Sequence, residues 1–103
     1  MPEFYRVIFT KRAADDLEGV FQYISLRSPD AATNAISELV EAIDSLNLFP
    51  HRYPVIEQSA RLQPETRTMP VPPYVIYYRV LETQKAVRIL TVSHGARARP
   101  TDI

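Results

Sequence analysis

Phe4-Tyr5-Arg6-Val7-Ile8-Phe9 alternates and is rich in aromatic and β-branched residues, the pattern of a short strand. Thr10 follows where a helix N-cap belongs, with Asp15 and Asp16 near the positive end of the helix it would open. Ala14, Leu17, Phe21 and Ile24 recur at spacings of three and four, which predicts a helix with these side chains on one face. Ser28-Pro29-Asp30 restarts the helix: Ser28 offers a cap oxygen, Pro29 brings a preset φ to the first turn, and Asp30 sits near the positive end. Ala32, Ile36, Leu39, Ile43 and Leu46 then repeat at four and three. Two amphipathic helices with so short a break between them predict a helical hairpin with one apolar side.

Pro50 and Pro54 end the hairpin, and residues 51–64 show no sustained period, so they read as a loop. Three strands are predicted after it, at about 65–71, 74–82 and 86–94. Pro72-Pro73 separates the first two, and Glu82-Thr83-Gln84-Lys85 joins the others through a turn without glycine, which favours a loop longer than two residues. Pro70 has no N–H for a ladder, so the 65–71 strand belongs at a sheet edge or is locally broken. The order β-α-α-β-β-β predicts an α+β fold in two layers, the hairpin packed on one face of a mainly antiparallel sheet. The other face is left at least partly free, with the strand arginines available to it.

Composition narrows the possibilities. At 103 residues the chain fits one domain, 1–103, and 46% apolar with 23% charged residues excludes a disordered chain or a coiled coil. No apolar run approaches the ~20 residues of a membrane span, and the N-terminus lacks the order of a signal peptide, so no membrane association is expected. There is no cysteine, which removes disulfides, thiolate metal sites and thiol nucleophiles together and suits a cytoplasmic protein. Twelve basic and twelve acidic residues cancel, so net charge draws the chain to no nucleic acid. Their distribution is uneven. Asp15, Asp16, Glu18, Asp30, Glu38, Glu41 and Asp44 lie in the N-terminal half, whereas Arg52, Arg61, Arg67, Arg79, Arg88, Arg97 and Arg99 lie in the C-terminal half. A local basic face on a neutral molecule follows, built from arginine, whose planar fork suits phosphate and carboxylate.

His94, at the end of the last strand and close to Arg97, is placed to act as acid or base at neutral pH, or to hold the strand end by bonding to backbone. His51 has no partner at a telling spacing. Two lone histidines with neither cysteine nor a carboxylate at ligand spacing make no case for a metal, and nothing calls for a cofactor. Arg67, Arg79 and Arg88 stand in strands, either as a cationic surface for a partner or as solvated arginines stacking on Tyr77 or Tyr78 or pairing with Glu65. Arg88 fits the solvated role better. Tyr74, Tyr77 and Tyr78 serve either a base-stacking platform or the sheet core, with Tyr78 assigned to the core. An exposed sheet edge is the expected docking site, where an extended partner segment could add a strand.

In order and spacing, Ala14-Asp15-Asp16-Leu17, Ser28-Pro29, Pro50, Arg67, Pro73-Tyr74-Val75-Ile76-Tyr77-Tyr78-Arg79-Val80 and Ile89-Leu90-Thr91-Val92-Ser93-His94-Gly95-Ala96-Arg97 resemble the ParE/RelE toxin superfamily over nearly the whole chain. The ParE branch, also called plasmid-stabilisation toxins, is the closer one. The resemblance implies a bacterial type II toxin encoded beside a ParD-like antitoxin, which folds part of itself over the toxin and neutralises it. ParE-type toxins are associated with poisoning DNA gyrase, RelE-type toxins with cutting messenger RNA on the ribosome. The RelE branch carries lysines on the second strand, an arginine directly after the tyrosine that opens the third, and a cation or a histidine-tyrosine pair near the C-terminus. Here those strand positions hold Thr66, Thr68 and Val75, no tyrosine follows His94, and Lys11 and Lys85 are the only lysines. The resemblance therefore implies a gyrase inhibitor without a conventional active site, with Arg67, Tyr77, Arg79, His94 and Arg97 facing antitoxin or target. The alternatives it leaves are a ribosome-dependent endoribonuclease using His94 and Arg97, and a non-toxic relative that only binds an antitoxin.

Overall fold

The computed structural model describes residues 4–59 and 64–103; Arg61 and the rest of 60–63, within the expected 51–64 loop, lie outside the described residues. A short strand, β1 (Arg6–Phe9), leads into helix α1 (Lys11–Ser25), and a three-residue break separates α1 from α2 (Pro29–Asp44). Both helix starts are fixed by the predicted caps. Thr10 Oγ1 accepts from the Ala13 N–H at 3.1 Å and donates to the Ile89 and Leu90 carbonyls, so the cap also ties α1 to the sheet. Ser28 Oγ accepts from the Ala31 N–H at 3.1 Å, and Pro29 opens the helix behind it.

The face expected for α2 is the buried one: Ala32, Leu39, Ile43 and Leu46 are at most 1% exposed. Burying a Leu or Ile contributes about 2 kcal/mol relative to leaving it in water, so packing rather than propensity holds this helix in place. In α1 the buried face is rotated from the expected one. Ala13, Leu17 and Val20 meet the core, whereas Ala14 is exposed and Phe21 remains 41% exposed. The rotation follows from Asp16, which shares the sheet-facing side with Ala13 and accepts from the Val92 N–H at 2.9 Å and from the Thr91 hydroxyl. Asp16 thus satisfies the part of the last strand that runs on past the end of β1. Asp15 does not serve the helix terminus either; it pairs with Lys11 one turn away at 2.8 Å, in solvent.

Three single-turn helices (Ser45–Asn47, Pro50–Arg52 and Glu57–Ser59) punctuate the loop before β2 (Thr66–Val71), β3 (Tyr74–Leu81) and β4 (Ala86–His94). The sheet order is β1-β4-β3-β2. β2, β3 and β4 are antiparallel neighbours, but β1 runs parallel to β4, making the sheet mixed; the helical hairpin is the crossover that brings the chain back. Between Tyr77 and Tyr78 the β3–β4 register shifts by one, with Leu90 the extra residue on β4. The side chains of β4 therefore change faces there: Val87 and Ile89 before the bulge and Val92 after it all point to the helices. Tyr78 is fully buried, and its hydroxyl donates to the Pro50 carbonyl at 2.6 Å. Burial holds its ionisation up at about 12, against a smaller opposing pull from Arg67 and Arg52.

β2 lies at the edge, as Pro70 requires, but that edge is occupied. Val55 bridges to Arg67, the Ile56 N–H donates to the Thr66 carbonyl at 2.9 Å, and the Thr68 N–H donates to the Pro54 carbonyl at 3.1 Å. Ser59 Oγ accepts from the Thr66 N–H at 2.9 Å. Pro70, the next outward residue, has no N–H, so every outward donor of β2 is used or absent. Strand addition, expected at an exposed sheet edge, has no donor to build on along β2.

Candidate functional site

Alternation assigns the strand side chains to two faces. Met69, Ile76, Tyr78, Val80, Val87, Ile89 and Val92 pack beneath the helices. Thr66, Thr68 and Pro70 on β2, Val75, Tyr77, Arg79 and Leu81 on β3, Ala86 and Arg88 on β4, and Arg6 and Ile8 on β1 take the opposite, open face. These open-face positions include three arginines and no carboxylate.

The arginines are adjacent. Arg79 stands directly opposite Arg88, Arg88 opposite Ile8, and Arg6 lies two residues before Ile8. Like charges facing each other across a strand pair cost roughly 0.2–1 kcal/mol. Arg79 Nε donates to Thr66 Oγ1 at 3.1 Å, a neutral partner that leaves the charge uncompensated. Among the described residues, neither Arg79, Arg88 nor Arg6 forms an ion pair. The fold tolerates this repulsion without relieving it.

At the far end of the same face, Gly95 turns the chain after β4. Its N–H donates to the Pro73 carbonyl at 2.7 Å, and a Cβ there would sit 3.1 Å from that oxygen, so glycine permits the close approach. The segment beyond it carries Arg97 and Arg99 over a cavity of about 570 Å³ lined also by Tyr53, Thr68, Val75 and Tyr77. Tyr77 forms part of its floor and is only 5% exposed. Of the five residues expected to face a partner, Tyr77 and Arg97 line this cavity, and Arg79 lies on the same sheet face outside it. Guanidinium groups above an aromatic and aliphatic floor suit a planar or branched anion, carboxylate or phosphate.

Arg67 and His94 are elsewhere. Arg67 shares the helix-bearing side of β2 with Met69 and Val71, and its Nη1 donates to the His51 and Tyr53 carbonyls at 3.1 and 2.7 Å. It fastens the Pro50–Arg52 turn to the sheet. His94 is paired with Tyr74, a residue packed against the helix-side core, and its ring meets the Tyr74 ring edge-on at 5.6 Å. Its Nδ1 accepts from the Ala96 N–H at 3.1 Å, while the Arg97 N–H donates to the His94 carbonyl at 3.0 Å. The backbone-holding role is the one realised. His94 and Arg97 close one turn through the backbone, but the imidazole lies with Tyr74 while the guanidinium lines the cavity of the open face.

Two features went unrecognised in the sequence. Arg6 joins the basic face that was expected of the C-terminal arginines; it shares the period of Ile8, which was the available signal. His51 does have a partner: its Nε2 lies 2.6 Å from Glu82 Oε1, and the Tyr5 hydroxyl and Lys85 Nζ reach the same carboxylate at 3.1 and 3.2 Å. Partial desolvation pushes the Glu82 carboxyl up, but hydrogen bonds from Lys85 and Tyr5 and the nearby His51 outweigh it and hold it below the usual range. This cluster joins Tyr5, the Pro50–Arg52 turn and the β3–β4 turn, and none of its side chains lines the Arg97 cavity.

The family model for the ParE toxin of type II toxin–antitoxin systems matches residues 7–99, spanning both helices, all of the sheet but Arg6, and the arginine-bearing tail. The chain belongs to the ParE toxin family. Toxin RelE2 of Caulobacter vibrioides is 36% identical over 92 residues, covering 89% of this chain and 97% of that one. Among solved structures, the chromosomal ParDE system of P. aeruginosa is similar with a TM-score of 0.70 and 23% identity, over 88% of this chain and 96% of that one. The RelBE2 toxin–antitoxin complex of Mycobacterium tuberculosis aligns at 0.63 and 24% identity, over 92% and 95%. These neighbours share the fold, two helices on a four-stranded mixed sheet, and come from both branches of the superfamily. This ParE-family chain is the toxin of a type II toxin–antitoxin system.

Proposed function

We propose that the toxin acts in the cytoplasm by inhibiting DNA gyrase, and that a ParD-like antitoxin encoded beside it neutralises it. The observation that carries this reading is the unrelieved Arg79–Arg88 pair on an open face that continues to Arg97 and Arg99. Such a face is suited to holding an anionic partner surface. It is poorly suited to cleaving RNA: a 2′-hydroxyl needs a base to take its proton, and the leaving oxygen needs an acid. Among the described open-face strand positions there is neither a carboxylate nor an imidazole to take either role. The imidazole of His94 lies with Tyr74 on the helix-bearing side. Inhibition by binding therefore fits better than catalysis.

The test is a gyrase supercoiling and DNA-cleavage assay with the purified chain, with and without its neighbour's product. Cleaved DNA should accumulate, the neighbour should reverse it, and Arg88→Glu/Arg97→Glu should weaken it roughly tenfold or more. Untouched gyrase at high excess of folded toxin rejects the target. The name of the Caulobacter relative favours a second reading, a ribosome-dependent endoribonuclease. Loss of messenger RNA on induction, abolished by His94→Ala, would establish that alternative. Harmless expression without the neighbouring gene would point to a non-toxic antitoxin-binding protein.

A further inference from the structure

The surface opposite in charge to the arginine face is α2. It carries Asp30, Glu38, Glu41 and Asp44 and no lysine or arginine. Glu38 and Glu41 stand at the rim of a groove of about 510 Å³ between α2 and β2, whose apolar lining includes Tyr53, Met69, Val71 and Pro72. Both glutamates are exposed, and neither has an ion pair or hydrogen bond among the described residues. The arginine beside Tyr53 does not neutralise them by contact. Arg52 is spent on the Ser45, Leu48 and Phe49 carbonyls at 3.2, 2.9 and 3.2 Å and on Ser45 Oγ at 2.6 Å.

Building on the antitoxin reading above, we infer that this groove docks an antitoxin segment in which lysine or arginine flanks an apolar side chain. The apolar side chain covers Tyr53 and Val71, and the cations meet Glu38 and Glu41. Charge complementarity sets the sign: an acidic segment would be repelled by all four carboxylates of α2 and drawn to the arginine face instead. The form of the segment follows from β2. Its outward donors are used by 54–56 and Ser59 or removed by Pro70, so the segment is held through side chains, as a helix or an irregular stretch, rather than as an added strand. The antitoxin is thereby required to be bipolar, basic over α2 and acidic over the open sheet face.

The experiment measures, by calorimetry, binding of the purified neighbouring gene product to the wild-type chain, to Glu38→Lys/Glu41→Lys and to Glu38→Gln/Glu41→Gln. The charge reversal should weaken binding roughly tenfold or more, and the neutral pair should weaken it less and flatten its salt dependence. Both positions are exposed, so the melting curves should match wild type and exclude misfolding as the cause. Wild-type binding with either variant unchanged, or tighter, overturns the groove assignment and leaves the toxin–antitoxin reading standing. Failure of the wild-type chain itself to bind its neighbour rejects that reading, and the groove assignment with it.

Discussion

The two faces of the sheet both carry arginines and use them in opposite ways. On the helix-bearing side, Arg67 is consumed internally, its guanidinium donating to two carbonyls of the preceding turn. On the open side, Arg79 and Arg88 confront each other with no carboxylate among the neighbouring strand positions. One arrangement holds the fold together, and the other costs the fold a little. A residue that costs stability and is not compensated within the chain points outward, to a partner.

That contrast is open to a direct attack on the internal side. Arg67→Met should destabilise the chain by about 2 kcal/mol, because charged hydrogen bonds to two carbonyls are lost. Denaturant unfolding measures this, and a change under about 0.5 kcal/mol would remove Arg67 from the structural side.

The buried phenol beneath the same turn gives the next largest effect. Tyr78→Phe should cost about 1 kcal/mol by freeing the Pro50 carbonyl. It should also change the alkaline limb of stability. The folded phenol ionises near 12 against an ordinary 10, so its contribution is intact below pH ~10 and is lost as pH rises towards 12. Melting temperatures across that window should fall less steeply in Tyr78→Phe than in wild type.

On the open face the effect on stability should be smallest and of the other sign. Arg88→Gln should leave stability within about 0.5 kcal/mol of wild type, or raise it slightly, since it relieves Arg79. The same variant should weaken gyrase inhibition in the supercoiling assay, by less than the double charge reversal does. A variant that unfolds more easily yet inhibits normally would reverse the roles assigned to the two faces.

Much of this division could be read along the chain. The caps at Thr10 and Ser28, the buried stripe of α2, the strand positions and the edge placement of β2 all rest on local chemistry and came through. Arg67 was expected to face a partner, although its parity with Met69, a core residue, and Val71, packed against the core, carried the signal for its inward place. The face of α1 was harder, because Asp16 is polar and yet turns inward to serve Val92 and Thr91. The location of His94 was beyond local pattern. Arg88 and His94 are six residues apart and would share a face in a regular strand, but the extra residue at Leu90 sends them to opposite sides. A single unpaired residue thus puts the histidine on the face opposite Arg79 and Arg88.

The closed edge of β2 has a consequence for the chain when it is alone. Open, donor-rich sheet edges template the addition of other chains and start aggregation. Here one edge is plugged by residues 54–56 and Pro70, and the other, β1, is only four residues long. Neither edge therefore offers a long, donor-rich template to which a second copy of the chain could add a strand.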